Sequence, residues 1–567
     1  MKASDYIVHF LIKKQITDIF GYPGGMVTHL MDSLDKQKDL IASHVNYHEQ
    51  ASAFAACGYA QVSMKPGVAY ATSGPGATNL ITGICNAFFD NIPTIFLTGQ
   101  VNTTESKTGL SVRQKGFQET DIISMVKDVT KYAAYVEKAE DLRYHLEKAY
   151  YYALEGRPGP VLLDIPMNIQ RADLDFEVMN SFNPEIVDKV NYDIETIINL
   201  IQNAKRPCIL VGAGIKCSDS VKQFRELAKL YQIPVVSSML AIDVLTQDSP
   251  YNFGFIGAYG MRHANFIIAK SDLILSLGSR LDVRQIGSKK EAFAINAQLI
   301  RVDIDPNELT NKIKDNEIQI VADVKDVIAD LINKAPKSLN HDASWLAICQ
   351  EIKTKLEKID IRYPNLLLNK ISTFIEDDTV ITTDVGQNQV WAAQSLLIKE
   401  NQLVLFSGGH GAMGYSLPAA IGAYYASLKP VVCISGDGGL QMNIQELQFI
   451  AREKLPITII LMNNFALGMI RHFQELYFLD NYTQTIENRG YSVPNFKALS
   501  TAYGLQYHQV SDLLDIKKDL FSGNEPRLIE LVLDRDTYVF PKLEFGKPNQ
   551  DQEPLLDRDL YNYLMSL

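Results

Sequence analysis

The stretch GDGGLQMNIQELQFIAREKLPITIILMNN, residues 436–464, is the part of the sequence that decides the fold. An apolar run at 430–434 predicts a buried strand that ends in the Gly-Asp-Gly turn, and a second run at 457–462 predicts a strand that ends at two asparagines. Between the strands, Asn443 is expected to cap a helix. The apolar face of that helix consists of Ile444, Leu447, Ile450 and Ala451. Strand, helix and strand form one βαβ unit, so the two strands are expected to be parallel.

Polar residues follow both predicted strands of this unit, at the sheet edge where open α/β sheets bind ligands. Asp437 and Asn464 offer two hard oxygen ligands of the kind that Mg²⁺ or Ca²⁺ prefers. Gly438 and Gly439 let a phosphate approach backbone N–H groups at a helix start. The alternative is an ordinary strand–turn–helix without a ligand. Because strand, turn, helix and strand all agree, we favour a metal-bridged diphosphate site.

The composition excludes several classes of protein. A chain of 567 residues is too long for one hydrophobic core, and three or four domains are expected. The net charge of −12, without a basic stripe, argues against a nucleic-acid partner. The six cysteines are far apart, which suggests a reducing compartment. We recognise neither a signal sequence nor a membrane span, and we expect a cytoplasmic protein.

Strands and helices alternate along the whole chain, which predicts an α/β fold of three doubly wound parallel-sheet domains. Outside the unit quoted above, strands are predicted at 68–72, 93–98, 160–165, 208–211, 234–237, 273–277, 299–304, 318–321, 379–383, 403–406 and 528–533. The expected domains are 1–175, 190–335 and 355–540, with a C-terminal tail at 541–567 and polar linkers near 173–189 and 334–344.

Three blocks of sequence resemble a known family. The spacing from Gly-Asp-Gly to Asn-Asn resembles the signature of thiamine diphosphate enzymes. The segments SGGHGAMGYSLPAAIGA (407–423) and LGMIRHFQELYF (467–478) resemble the large subunit of acetolactate synthase, and the similarity runs from about residue 6 to about residue 536. The resemblance implies a pyrimidine-binding domain, a central FAD-type domain and a diphosphate-binding domain. The implied cofactors are thiamine diphosphate, Mg²⁺ and FAD.

Glu49 opens a segment rich in small residues, HEQASAFAACGYA (48–60). Taken alone, a Glu in the first turn of a helix is usually a solvated charge that interacts with the helix dipole. The resemblance implies another role, in which Glu49 holds a ring nitrogen of the cofactor aminopyrimidine in a charge-assisted hydrogen bond. It also implies that Glu49 comes from one subunit while Asp437 and Asn464 come from another. A homodimer or homotetramer with shared active sites would follow.

Other site residues are assigned only by matching family positions. Phe117 and Gln118 match the substrate end, where Gln118 would donate to a developing alkoxide. Ala466 would add a backbone carbonyl to the metal ligands Asp437 and Asn464. For most of the glycines, turn chemistry alone is the competing explanation, and for Met413 it is a plain core position. The expected thiamine diphosphate contacts are Tyr22, Ser73, Pro75, Gly386, Gln387, Asn388, Met413, Gly436, Asp437, Gly438, Gly439, Asn464, Gly468 and Met469.

The middle of the chain contains segments that resemble the FAD-binding parts of acetolactate synthase, where the flavin is structural. A Gly-Ala-Gly turn after a strand is weak evidence by itself. Leu281 and Val283 stand where the family usually has Phe and Asp, which predicts an altered flavin site. The expected FAD contacts are Gly212, Ala213, Gly214, Gly257, Gly260, Gly278, Arg280, Asp282, Arg284, Asp303 and Ile304.

The sequence departs from the synthases on the side of the acceptor substrate. Met167 replaces a Lys, Phe473 replaces a Trp, and the loop 100–119 is longer than its counterpart. Two functions therefore compete: synthesis of 2-acetolactate from two pyruvates, and transfer of the acetyl unit to another ketone such as a nucleotide-activated sugar. A flavin-dependent pyruvate oxidase and a non-catalytic relative are further alternatives. The last is disfavoured because four residues are retained together: Glu49, Asp437, Asn464 and Gln118.

Overall fold

The computed structural model describes residues 1–175, 178–184 and 191–567, and these form three α/β units. Residues 176–177 and 185–189 of the expected linker at 173–189 lie outside the described residues. The strands of the first unit are β1 (Asp18–Gly21), β2 (Ala42–Val45), β3 (Gly67–Ala71), β4 (Thr94–Gln100), β5 (Tyr132–Tyr135) and β6 (Pro160–Pro166). Its helices are α1 (Ala3–Lys13), α2 (Thr28–Asp35), α3 (Glu49–Ser63), α4 (Pro75–Asn79), α5 (Ile81–Phe89), α6 (Ile122–Val126), α7 (Leu142–Leu154) and α8 (Met167–Gln170).

The middle unit repeats this alternation. Its strands are β7 (Pro207–Val211), β8 (Val235–Ser237), β9 (Asn252–Phe255), β10 (Leu273–Leu277), β11 (Gln298–Asp303) and β12 (Ile318–Val321). Its helices are α9 (Ile194–Asn203), α10 (Gly214–Cys217), α11 (Val221–Tyr231), α12 (Arg262–Lys270), α13 (Val283–Ile286), α14 (Pro306–Leu309), α15 (Val324–Asn333) and α16 (Trp345–Leu356).

The third unit contains the stretch that decides the fold. Its strands are β13 (Val380–Thr383), β14 (Leu403–Leu405), β15 (Val431–Gly436), β16 (Ile457–Asn463), β17 (Gln506–Val510) and β18 (Arg527–Val532). Its helices are α17 (Tyr363–Ser372), α18 (Gln387–Ser395), α19 (Ser416–Ser427), α20 (Asp437–Met442), α21 (Glu446–Glu453), α22 (Gly468–Tyr477) and α23 (Phe496–Tyr503). The last helix of the chain, α24 (Arg558–Ser566), packs on the core of the middle unit through Leu564.

Each unit contains one six-stranded sheet in which all the strands pair in parallel. The strand orders are β2-β1-β3-β4-β6-β5, β12-β11-β10-β7-β8-β9 and β14-β13-β15-β16-β18-β17. The predicted fold of three parallel α/β sheets is thus confirmed. No helix in the described part of the chain is long and apolar enough to cross a membrane.

The strands that the sequence did not predict are mostly edge strands. β2, β5, β9 and β17 lie at sheet edges, and β17 consists mostly of polar, partly or fully exposed residues rather than forming an apolar run. An edge strand is covered on fewer sides, so its sequence lacks the continuous apolar signal of a central parallel strand. β1 is buried but only four residues long.

One prediction within residues 436–464 is wrong. Asn443 does not cap a helix with its side chain, because α20 already begins at Asp437 and α21 begins at Glu446. Instead Asn443 Nδ2 donates to the carbonyl of Gly414 at 2.9 Å and to Gln50 Oε1 at 3.1 Å. Asn443 therefore connects the two short helices to the first unit. The predicted apolar face of α21 does pack into the core.

Helices α3 and α19 join the first and third units at unusually close range. A Cβ on Gly58 of α3 would lie 2.1 Å from the carbonyl oxygen of Ala419, and a Cβ on Gly422 of α19 would lie 1.8 Å from that of Ala55. Any side chain at either glycine would collide with backbone. The small residues around Glu49 in the sequence are thus required by helix packing, which fixes Glu49 relative to the third unit.

Candidate active site

Three helices begin at the carboxyl ends of three neighbouring strands in the third sheet. α18 follows β13, α20 follows β15 and α22 follows β16, and the chain changes direction between β13 and β15. Such a switch point opens a crevice at the strand ends. Because the first N–H groups of a helix have no partner within it, three helix starts at this edge make the crevice suited to a polyanion.

Three oxygen atoms meet at the centre of this crevice. Asn464 Oδ1 lies 3.3 Å from Asp437 Oδ2 and 2.9 Å from the carbonyl oxygen of Ala466, while Asn464 Nδ2 donates to Gln387 Oε1 at 2.9 Å. Turning the amide over would replace both oxygen–oxygen contacts with hydrogen bonds. Without a cation the amide nitrogen therefore faces Asp437 and Ala466, whereas a cation between the three groups favours the inward Oδ1. Adjacent ligands of an octahedral Mg²⁺, each at about 2.1 Å, are about 3 Å apart. This oxygen triad of Asp437, Asn464 and Ala466 fits a small divalent cation.

The oxygen triad contains a single carboxylate. In the described residues, no group of three or more His, Cys, Asp or Glu side chains is placed to share a metal. Burial raises the pKa of Asp437 to about 6, although hydrogen bonds from Tyr491 and from backbone N–H groups lower it. A cation beside a buried carboxylate offsets that cost of burial.

Tyr491 is a site residue that sequence reasoning missed. Its hydroxyl donates to Asp437 Oδ1 at 2.6 Å, and the backbone N–H of Asn464 donates to Oδ2 at 3.2 Å. The two oxygens of Asp437 therefore have separate roles, because one is held by Tyr491 and the other faces the triad. Tyr491 lies in an irregular segment, and no spacing in the sequence connects it to Asp437.

Glycines bring the walls of the crevice into contact. A Cβ on Gly468 would lie 1.9 Å from Gln387 Oε1, and one on Gly439 would lie 2.3 Å from Asp384 Oδ1. The Asn388 amide nitrogen lies 3.1 Å from the position that a Cβ would take on either Gly386 or Gly436. The structure therefore brings these residues together around a space that larger residues would fill.

Asp384, also missed from the sequence, shapes the loop before α19. Its buried carboxylate accepts the N–H groups of Gly414 and Ser416 and the Ser416 hydroxyl, all within 3.0 Å. The loop holds the Met413 methyl 3.2 Å from the position that a Cβ would take on Gly438. Met413 is thereby placed at the wall of the crevice. Met469 is partly buried and packs against the core of the third unit.

A second cluster lies on the first unit around Glu49. The Glu49 side chain is almost buried, and its Oε2 accepts from Asn79 Nδ2 at 2.9 Å. Its Oε1 lies 3.2 Å from the position that a Cβ would take on Gly76. Gln118, whose φ of 62° is left-handed, lies over Gly74. The Gln118 Cβ is 3.1 Å from the position that a Cβ would take on Gly74. The structure thus brings Glu49 and Gln118 to one glycine loop, 73–76.

The remaining predicted residues of the first unit surround this loop. Pro75 starts α4, and Tyr22, which is half exposed, belongs to a turn whose Gly24 packs against Thr72. Phe117 is 80% exposed, so a single chain leaves it without cover. Ser73 Oγ, like Asn388 Oδ1 in the crevice, is buried without a hydrogen-bond partner in the described residues. Buried polar atoms of this kind usually have a partner, and a polar ligand would supply one.

The acceptor-side residues fall on two units. Met167 opens α8 at the end of β6, and the amide of the adjacent Asn168 binds Thr103 at the start of the long loop. Glu119 closes that loop by accepting N–H groups of Lys107, Lys115 and Gly116. Phe473 is 43% exposed on α22 of the third unit.

A cleft of about 400 Å³ separates the middle unit from the other two. Its walls include most of the predicted FAD contacts: Gly212, Ala213, Gly214, Gly278, Arg280, Asp282, Asp303 and Ile304. Gly257, Gly260 and Arg284 are not among its lining residues, and Gly257 instead packs against the carbonyl of Arg284. Leu281 is buried in the core below the cleft, whereas Val283 is exposed.

The first and third units complete this cleft in a way that the sequence did not reveal. Asp90 accepts the N–H groups of Gly408 and Gly409 at 3.0 and 2.7 Å, and Arg157 forms ion pairs with Asp305 and Glu308. Burial raises the pKa of Asp90 to about 6. These contacts join distant parts of the chain at the rim of the cleft.

Sequence comparisons agree with this geometry. Profiles of thiamine pyrophosphate enzymes match all three units, with the N-terminal TPP binding domain at 1–125, the central domain at 194–331 and the C-terminal TPP binding domain at 384–531. The crevice and the three sheets thus define a thiamine diphosphate-dependent enzyme, and the chain belongs to the thiamine pyrophosphate enzyme family.

Individual relatives narrow the type of enzyme. The chain is 34% identical to the acetolactate synthase isozyme 2 large subunit of Escherichia coli (strain K12), covering 97% of this chain and 99% of the relative. It is 36% identical to the acetolactate synthase large subunit of Corynebacterium glutamicum, covering 97% and 90%. The corresponding protein of Porphyra purpurea is 34% identical, covering 95% and 93%. Within its family the chain is a carboligase of the acetolactate synthase type.

Proposed function

We propose that the enzyme decarboxylates pyruvate and transfers the two-carbon acetyl unit to a keto acceptor, giving 2-acetolactate when the acceptor is a second pyruvate. The observation that carries this proposal is the oxygen triad among three helix N-termini. Mg²⁺ would bind the triad, and the diphosphate of the cofactor would receive the N–H groups of α18, α20 and α22. The names of the relatives support pyruvate as the donor.

The residues of this chain have distinct roles in the proposed reaction. Thiamine diphosphate, when bound, supplies an acidic ring carbon and an electron sink for the decarboxylation. Glu49 would hold a proton in a hydrogen bond to the aminopyrimidine ring, and Met413 would support the rings from the crevice wall. The Gln118 amide would donate to the oxygen that becomes negative during addition.

The test is to incubate the protein with pyruvate, thiamine diphosphate and Mg²⁺ and to identify the products by NMR. We expect 2-acetolactate and carbon dioxide, and neither product when thiamine diphosphate or Mg²⁺ is omitted. Consumption of pyruvate to acetaldehyde or acetate alone would contradict a carboligase function.

We further propose that two copies of the chain share each active site. In the described residues of one chain, no hydrogen bond or ring contact joins the Glu49 cluster to the oxygen triad. The exposure of Phe117 and Phe473 supports a second copy over both surfaces.

Mixing two inactive variants tests this arrangement. After Glu49→Gln and Asp437→Ala chains are unfolded and refolded together, half of the dimers combine one of each, so about a quarter of the sites regain both residues. Activity near a quarter of the wild-type value is expected. If the mixture stays as inactive as its components, each site is built from one chain.

We propose FAD as the occupant of the cleft between the units. The close packing of Gly212 and Gly214 against Gly278 leaves room for a pyrophosphate, and Asp303 at the end of β11 is placed for a ribose hydroxyl. A flavin spectrum in the purified protein would support this assignment. Bleaching of that spectrum in each anaerobic turnover would instead favour the pyruvate oxidase.

A second candidate is transfer of the acetyl unit to a neutral or nucleotide-linked ketone. Met167 offers no charge to an acceptor carboxylate, and the long loop closed by Glu119 rises beside it. The binding free energy of an acceptor carboxylate differs by a few kcal/mol between a site that pairs it with a cation and a site that does not. We expect the double variant Met167→Lys, Phe473→Trp to shift kcat/KM toward 2-keto acids by about tenfold or more in competition with neutral ketones. An unchanged ratio, with the wild type already preferring 2-keto acids, would leave acetolactate synthesis as the function.

A further inference from the structure

A second cavity, here called the inter-unit cavity, lies between the middle and third units. Its volume is about 270 Å³. The middle unit contributes β9, the start of α12 and the end of α16, and the third unit contributes α17 and the carboxyl end of α18. Neither the carboligase reaction nor the flavin assignment uses this cavity.

Among the described residues of its wall, Lys353 is a partly buried cation without an ion pair. Lys353 Nζ donates to the carbonyl of Asn252 at 3.1 Å and lies 5.7 Å from the Phe253 ring, and in the part of the chain that the structure describes it forms no ion pair. Burial lowers the pKa of Lys353, although the negative charge of Glu357 raises it. An ammonium group has three donors, so Lys353 can still bind an anion.

The other charges of the wall are matched or exposed. Arg262 is buried and pairs with Asp360 at 2.6 and 3.0 Å, and two further N–H groups donate to the carbonyls of Gln552 and Pro554. Glu357 and Lys358 are both exposed and have opposite signs. The wall therefore has an excess of one positive charge, located at Lys353.

His263 is a second polar group without a partner. It lines the cavity, is 4% exposed, and its Nε2 has no hydrogen-bond partner in the described residues. Burial and the nearby Lys353 lower its pKa to about 3, so the imidazole is neutral. A neutral imidazole beside an unpaired ammonium can complete a hydrogen-bonding site for a carboxylate.

The rest of the wall is mostly apolar, including Phe255, Met261, Leu356, Leu396 and Phe540. Ligand cavities range from about 300 to 1,000 Å³, so this one is at the small end of the range and suits a small molecule.

We propose that the inter-unit cavity is a binding site for a small organic monocarboxylate with an apolar chain. The carboxylate contacts Lys353 and His263, and the chain lies among the apolar residues of the third unit. Gln394 and Ser395 of the cavity wall belong to α18, whose first residue, Gln387, contacts Asn464 in the active-site crevice. A helix of nine residues, about 14 Å long, thus connects the two sites.

Hexanoate is a suitable probe, and calorimetric titration of the full-length protein saturated with thiamine diphosphate and Mg²⁺ measures its binding. We expect saturable binding of one hexanoate per chain, and binding at least about tenfold weaker for hexanamide, which lacks the charge, and for acetate, which lacks the chain. Lys353→Met should weaken hexanoate binding by about tenfold or more. Lys355→Met, on the same helix but outside the cavity, should change it less than about twofold.

Hydrogen exchange of the wild-type protein locates the site without any substitution. Added hexanoate should slow amide exchange in segments 353–361 and 393–398. Equal binding of hexanamide, unchanged binding in Lys353→Met, or protection confined to the segments around Glu49 and Asp437 would each overturn the proposal. An absence of saturable binding would do so as well, and would be the result if another copy of the chain filled the cavity.

Discussion

Asp437 shows how single residues set the chemistry of the crevice. The carboxylate is buried, and Tyr491 and backbone N–H groups each hold part of it in place. Those bonds leave Oδ2 facing Asn464 Oδ1 and the Ala466 carbonyl, an arrangement that a cation stabilises and that is otherwise repulsive. The residue types are known from the sequence, but the different contacts of the two carboxylate oxygens depend on Tyr491.

At the same scale, we expect Glu49→Gln to slow deprotonation of the reactive cofactor carbon by about 10²- to 10⁴-fold, the usual contribution of a positioned acid–base group. Cofactor affinity should change little, because Gln keeps the size of the side chain and the hydrogen bond with Asn79. Proton–deuterium exchange of bound thiamine diphosphate, quenched with acid and read by NMR, measures the rate. Glu137→Gln, at an exposed position of the same unit, is the control. Wild-type exchange in the Glu49 variant would remove this residue from the mechanism.

At the scale of elements, the crevice exists because three helices start side by side. Their N-termini can converge only because glycines replace side chains at the contacts, as at Gly468 on α22 and Gly439 on α20. Parallel strands place these helix starts at one edge of the sheet, and the switch between β13 and β15 separates them enough for a ligand. In the middle unit, Gly212 and Gly278 allow the same close approach of backbone segments.

Gly468→Ala tests the close approach of α22 to α18. Its Cβ would lie 1.9 Å from Gln387 Oε1 and 2.7 Å from Asn464 Nδ2, so both side chains must move. Overpacking of this kind costs about 1–3 kcal/mol, which predicts Mg²⁺-dependent cofactor affinity weaker by about 5- to 150-fold. Titration of thiamine diphosphate by tryptophan fluorescence or calorimetry gives the affinity. In Gly159→Ala the new Cβ meets only the flexible stem of Lys131 at 3.1 Å, and affinity should be unchanged. Equal affinities in both variants would show that the α22 contact does not shape the site.

At the scale of the whole molecule, the first and third units are joined by close packing and by buried carboxylates, among them Asp90 and Glu446. Glu446 of α21 is fully buried and accepts from Asn46 Nδ2 at 2.9 Å and from the Tyr47 N–H at 2.8 Å, directly before Glu49. Burial raises the pKa of Glu446 to about 7, although these hydrogen bonds lower it. The contact that positions Glu49 is therefore sensitive to pH.

We expect Glu446→Gln to reduce the pH dependence of stability between about pH 4.5 and 7. Because the folded state binds the Glu446 proton more tightly than the unfolded state, this group stabilises the fold below pH 4.5 and loses that contribution as pH rises to 7. The pKa change of Glu446 from 4.5 to about 7 corresponds to roughly 3 kcal/mol in the free energy of unfolding. The stability of the variant relative to the wild type should thus rise by up to this amount from pH 4.5 to 8, as measured by urea unfolding. Glu453→Gln, at an exposed position of the same helix, should show no such trend. If the stability of Glu446→Gln changed with pH in parallel with that of the wild type, the assigned pKa would be contradicted.

The sequence alone determined the three parallel sheets and the chemistry of the diphosphate edge. Buried parallel strands appear as continuous apolar runs, and a βαβ unit places Asp437 and Asn464 at neighbouring strand ends, so both signals are local along the chain. Glu49 needed the resemblance, because an acidic residue at a helix start has no specific signal of its own.

Only the tertiary structure decided the contacts between residues that are distant in sequence. Tyr491 on Asp437, Asp384 under the Met413 loop, and Glu446 beneath Asn46 have no spacing that predicts them, because long-range contacts depend on how whole elements pack. The same is true of Asn443. Asparagine is a common helix N-cap residue, so the sequence suggested a helix start, but the Asn443 amide instead bridges two units. Local pattern fixed the elements and the residue types at their ends, and the packing of those elements fixed which polar atoms face one another.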